Sequence, residues 1–224
     1  MNNDGAALDI QRTFLQKVYA WMFGGLLTTA VVAFAVVSSS VGYGLLSYRW
    51  IFALANIGLV WYLSARINSL SSTAATVLFL VYSALSGVTF SIIFFVYTLD
   101  SIMSTFLVAA GMFAAMSAYG YFTKRDLSGW GSFLMMGVIG IILASVVNWF
   151  LGSSALSFAV SLIGVFVFVG LTAYDTQKIK EMAVVETSGS ELASKAAIIG
   201  ALELYLDFIN LFLFLLRLLG GRRN

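Results

Sequence analysis

The residues best placed to do chemistry lie inside an apolar stretch. Residues 199–219 read IGALELYLDFINLFLFLLRLL and carry Glu203, Asp207, Asn210 and Arg217. Steps of four, three and seven put these side chains along one face of a helix. An ionised carboxylate at the centre of a membrane span costs about 2.5 to 3.5 kcal/mol even on the lenient insertion scale, so a lipid-facing position for Asp207 is ruled against. The stretch is therefore expected to be the central helix of a bundle, with Leu204, Phe208, Leu211 and Leu215 packed on neighbours. A second acid, Asp175, closes the preceding apolar segment on the same expected membrane side. Asp207 would lie about 12 Å from that side, at 1.5 Å per residue. Two carboxylates that meet in a low-dielectric interior share a proton and titrate in two coupled steps, which makes a proton-sensitive latch. Arg66 is the cation that could compete for either acid. The plainer alternative is that Asp175 caps or snorkels at the interface while Asp207 pairs with Asn210 or Glu203.

The rest of the chain has to hold these groups in lipid. Of its 224 residues 61% are hydrophobic and only 10% charged, against about 45–50% and 25% in soluble domains, so this is a membrane protein. The absence of His and Cys excludes a zinc site, a thiol nucleophile and a histidine base. A net charge of +2 without a basic block leaves no nucleic-acid footprint. No proline breaks any span, and no cofactor is expected. The first 17 residues are polar and are expected to form a cytoplasmic segment without a signal peptide. A single all-α transmembrane domain follows, with spans at about 18–39, 46–65, 74–98, 102–122, 130–151, 156–174 and 199–219. A polar connection over 177–195, broken at Ser188-Gly189-Ser190, is the one long loop expected, and Asp100 is expected to close the third span. Lys and Arg set the orientation. With the N-terminus inside, eight face the cytoplasm (Arg12, Lys17, Arg66, Lys124, Arg125, Lys178, Lys180, Lys195) and four face out (Arg49, Arg217, Arg222, Arg223). A re-entrant last segment is the alternative to a seventh span.

A short repeat marks three helix ends. Tyr62–Arg66, Tyr121–Arg125 and Tyr174–Lys178 all fit Y-x-[ST]-x-[RK], which suits a membrane exit built from an interfacial Tyr, a capping hydroxyl and a cation at the negative helix end. Where two copies place Leu63 and Phe122, the third places Asp175. Asn56 and Asn148 are expected to hydrogen-bond between helices, or to line a path, and the glycine pairs Gly24-Gly25 and Gly137/Gly140 to permit close helix approach.

The stretch Thr172-Ala173-Tyr174-Asp175-Thr176-Gln177-Lys178-Ile179-Lys180, followed by 201–212 (ALELYLDFINLF), resembles the paired signature of the transmembrane Bax inhibitor motif family in its bacterial branch. Val96-Tyr97-Thr98 with Ser101-Ile102, and Tyr119 through Gly129, are similar to the same family. The resemblance implies seven helices with the last enclosed by the other six, residence in the bacterial inner membrane and a pH-sensitive calcium leak. It further implies that Asp175 and Asp207 are the proton sensor and that Arg66 engages it in one conformation. Glu203 and Asn210 would then line the ion path, and calcium would pass near Asp207 without a tight metal cage. The expected partners are the lipid bilayer, calcium ions and protons. Some bacterial relatives instead regulate a membrane protease, and here the 177–195 loop would be the contact. An intramembrane aspartyl protease is the remote reading, because Leu204-Tyr205-Leu206 stands where such enzymes carry a Gly-x-Gly run.

Overall fold

A computed structural model describes residues 3–39, 42–185 and 191–223. Helix accounts for nearly all of them: α1 Asn3–Ser38, α2 Gly42–Ser47, α3 Arg49–Arg66, α4 Ser72–Phe90, α5 Ile93–Val96, α6 Leu99–Phe122, α7 Ser128–Leu151, α8 Ser154–Val185 and α9 Glu191–Leu219. Six segments are long and apolar enough to cross a bilayer: Asp9–Ser38, Ser72–Val96, Leu99–Phe122, Ser128–Leu151, Ser154–Ala183 and Glu191–Leu219. Trp50–Arg66 is a seventh, shorter apolar helix, about 25 Å long at 1.5 Å per residue. The seven apolar segments match the seven expected. Of the six, α9 is the most buried, at 72% of its apolar window against 11–44% elsewhere.

The chain divides into two compact units. The first comprises Met1–Val96 and Lys180–Tyr205. Its centre is Tyr205, which is fully buried and packs edge-on against Phe79 and Tyr82 at ring centroid distances of 5.9 and 5.8 Å. The Tyr205 hydroxyl lies 2.7 Å from Thr29 Oγ1, which donates to the Ser83 carbonyl at 2.8 Å. Such a chain satisfies polar groups that lipid cannot. Asn56 ties α3 to α4 by donating to Thr89 Oγ1 (3.0 Å) and accepting from the Ser86 hydroxyl (3.1 Å), the interhelical role expected of it. The first turns of α9 fasten onto the α3–α4 connection: Lys195 Nζ donates to the Leu70 carbonyl (2.9 Å), and Glu191 accepts from Ser72 N (3.2 Å).

The second unit comprises Tyr97–Ile179 and Leu206–Asn224. Phe208 of α9 packs edge-on between Phe106 and Phe113 of α6, with centroids 5.4 and 5.5 Å away. On α8, Phe168 stacks on Phe214 of α9 at 5.8 Å. Glycine makes the close contacts possible. A Cβ on Gly120 would come 2.2 Å from the Ala173 carbonyl oxygen, and one on Gly131 would strike the Tyr174 ring. Beyond α9 the chain turns back along the start of α6, where Thr98 N donates to the Gly221 carbonyl (3.1 Å), Gly221 N donates to Ser101 Oγ (2.9 Å), and Tyr97 and Arg222 form an antiparallel bridge. α9 is one continuous helix of 29 residues, long and apolar enough to cross a bilayer.

Several expected boundaries are corrected. Residues 177–195 are not a loop: α8 continues to Val185 and α9 begins at Glu191. The buried Ile179 and Ala183, and then Ala193, Ala197 and Ala201, keep a four-residue period that polar neighbours disguised. The Ser188-Gly189-Ser190 break lies outside the described residues. Asp175 therefore sits ten residues inside α8 and does not end a helix. The third span breaks between Phe90 and Ile93, where the Ser91 hydroxyl takes the Val88 carbonyl (2.7 Å). Asp100 opens α6 instead of closing the third span, in the first turn after the Thr98 N-cap, where the helix dipole favours an acid. Gly42–Ser47 form the short helix α2. The exit device holds only in part, since Thr123 Oγ1 accepts from Arg125 N (3.2 Å) and so shapes the turn after α6.

Replacing Gly120 by Ala is expected to destabilise the protein by about 1–3 kcal/mol through overpacking against the Ala173 backbone. Gly111→Ala, where a Cβ meets nothing within 4 Å, should be neutral or stabilising. Thermal unfolding of the two variants in one detergent checks the contrast, and equal midpoints would contradict it.

Candidate functional site

Asp207 lies on α9 two residues past the helix midpoint and is 3% exposed; Asp175 on α8 is 9% exposed. Both belong to the second unit, as does Asn210, whose amide donates to the Leu206 carbonyl (2.8 Å) on its own helix. Arg66 and Glu203 belong to the first unit. Arg66 is exposed at the end of α3, and its carbonyl accepts from Ser69 Oγ (2.9 Å). Glu203 stands one turn before Asp207, half-buried. Among the described residues, Glu203 Oε2 and Asp207 Oδ2 are the buried side-chain oxygens that accept no hydrogen bond, and no cluster of three acids is arranged to hold a metal.

The helices that carry the two aspartates have a defined register. Phe168 and Phe214 stack face to face, and the Cβ direction of Gly164 also points into the Phe214 ring. Asp175 is seven residues onward from Phe168 along α8, and Asp207 is seven residues back from Phe214 along α9. Seven residues are close to two turns, about 10.5 Å, and return to nearly the same face. Each aspartate therefore lies on nearly the same face of its own helix as the aromatic residue seven positions away.

The chain neighbours of Asp175 anchor α8 to the elements around it. Thr176 Oγ1 donates to the Thr172 carbonyl (2.7 Å) and lies 3.3 Å from Ser117 Oγ of α6. Tyr174 covers Gly131 of α7. Gln177 does what sequence reasoning missed. Its side-chain amide is buried, accepts from Leu127 N and donates to the Arg125 carbonyl, both at 2.8 Å. One residue of α8 thereby clamps the turn between α6 and α7. The signal was present in the repeat, where Gln177 replaces Ala65 and Lys124, but its significance needed the partner turn to be in place. In that turn, hydrogen bonds from the Ser128 hydroxyl and amide hold the exposed Asp126 carboxyl below the usual carboxylate range.

Removing the clamp exposes its worth. Gln177→Leu should orphan the buried Leu127 amide and cost about 1–3 kcal/mol. Amide hydrogen exchange should accelerate at Leu127 and its neighbours while the centre of α6 stays protected. Unchanged exchange at Leu127 would show that the clamp contributes nothing.

Comparison with known proteins gives a consistent result. The family model described as "Inhibitor of apoptosis-promoting Bax1" matches residues 11–224. The chain is 55% identical over 217 residues to the inner membrane protein YbhL of Escherichia coli K12, covering 95% of this chain and 93% of that one. It is 48% identical over 219 residues to an uncharacterized protein of Borreliella burgdorferi (96% and 94% covered) and 46% identical over 216 residues to one of Deinococcus radiodurans (96% and 93% covered).

Proposed function

The chain belongs to the family of the inhibitor of apoptosis-promoting Bax1, and on that premise we propose that it is a pH-sensitive calcium leak channel of the bacterial inner membrane, gated by Asp175 and Asp207. The observation that carries this reading is the burial of both carboxyls on α8 and α9, at positions equally displaced from the Phe168–Phe214 contact. With one shared proton the two acids bind each other and hold the helices together. Full ionisation places two like charges at short range in a medium that screens them poorly, and the helices separate. Ionised carboxyls also present the hard oxygen ligands that calcium prefers. Flux therefore rises with pH. Asp207 and Asn210 would line the path of the ion. Other titratable groups near the pair are few. Within five positions of them on their own helices they are Tyr174, Lys178, Lys180, Glu203 and Tyr205, and α7 carries none.

The test is calcium entry into proteoliposomes of the purified protein across about pH 5 to 8. Wild-type flux should rise severalfold over that range, whereas Asp175→Asn and Asp207→Asn should each flatten the profile. Absence of protein-dependent flux at every pH would overturn the channel reading. A pH profile that survives either substitution would remove the pair as its gate.

A further inference from the structure

The second unit contains a cavity of about 570 Å³ where α6 begins, α7 meets α8 and the chain leaves α9. That volume lies within the range of small-molecule sites, about 300–1,000 Å³. Two guanidinium-bearing residues, Arg217 and Arg222, line it, and among the described residues of its wall there is no Asp or Glu. Arg217 is held with its guanidinium carbon 5.5 Å above the Phe214 ring, and Arg222 is positioned by the backbone bridge to Tyr97. Facing them are hydroxyls of α8. Ser157 Oγ accepts from Asn148 Nδ2 at 2.6 Å, which leaves its own proton to donate into the cavity. The rim is aromatic and apolar, with Trp149 74% and Phe158 61% exposed. Two forked cations and a hydroxyl donor without a neutralising acid select a phosphate or phosphodiester. An aromatic rim at the end of membrane spans is where lipid headgroups lie.

We propose that this cavity binds the phosphodiester of an anionic phospholipid headgroup, held by Arg217, Arg222 and Ser157, with the acyl chains running past Trp149 and Phe158. The site is separate from the two buried aspartates and does not depend on their role.

Native mass spectrometry of the full chain in detergent, titrated with phosphatidylglycerol, phosphatidylcholine or inorganic phosphate, tests this. The wild type should retain phosphatidylglycerol over phosphatidylcholine. Arg217→Gln and Arg222→Gln should each lower that retention about fivefold, the scale of one cation at an anionic surface. The corresponding Lys variants should keep most of it. Arg222 is exposed and beyond α9, so its variant decides the matter alone if Arg217→Gln fails to fold. Equal retention in wild type and Arg222→Gln overturns the site. Arginine-dependent stabilisation by inorganic phosphate equal to that by phosphatidylglycerol overturns the lipid assignment in favour of a free anion.

Discussion

Carrying Asp207 at the middle of a helix built to cross hydrocarbon constrains the rest of the chain. A charge there is tolerated only if protein surrounds it and if its environment can neutralise or solvate it. Burial of α9 follows from this requirement, and so does the character of the residues that cover it. In the first unit Tyr205 brings a polar tip, satisfied through Thr29, on an apolar body packed by Phe79 and Tyr82. In the second, Phe208, Phe212 and Phe214 turn aromatic area toward α6 and α8. Aromatic side chains suit the task because they supply large contact area with few rotamers to freeze.

Lipid supplies no hydrophobic drive between helices, so close packing and hydrogen bonding must. Around α8 both are visible. Gly120 lets α6 approach Ala173 to backbone contact, Gly131 receives Tyr174, Gly137 receives Val167, and Gly170 receives Leu134. Thr176 and Gln177 add hydrogen bonds to α6 and to the turn beyond it. Asp175 thus projects from a helix whose position relative to α6 and α7 is fixed by uncharged contacts.

Much of this was legible in the chain. Hydropathy located the seven apolar segments, and the stripe of Glu203, Asp207 and Asn210 identified α9 as a helix needing protein around it. The threefold repeat singled out Asp175, which stands where the other copies place Leu63 and Phe122. What escaped were features in which polar residues serve a helix and not a loop. The stretch around Gln177, Lys178, Lys180 and Glu181 looks like a connection by composition, yet Ile179 and Ala183 keep one face buried. The break at Ser91 needed a local hydroxyl-to-carbonyl bond that no proline announced. Gln177 was opaque because its partners are backbone groups 50 and 52 residues away, which carry no side-chain signature. The cavity between Arg217 and Ser157 depends likewise on where the last residues return.

The central claim is that Asp175 and Asp207 hold one proton between them. Infrared spectroscopy of the carboxyl stretch in reconstituted protein tests it directly, by titrating wild type beside each aspartate-to-asparagine variant. The account predicts a protonated carboxyl band in the wild type that disappears in two separated steps as pH rises, and a single shifted step in either variant. A single wild-type transition at ordinary carboxylate pH, left unchanged at one aspartate when the other is replaced, would contradict it.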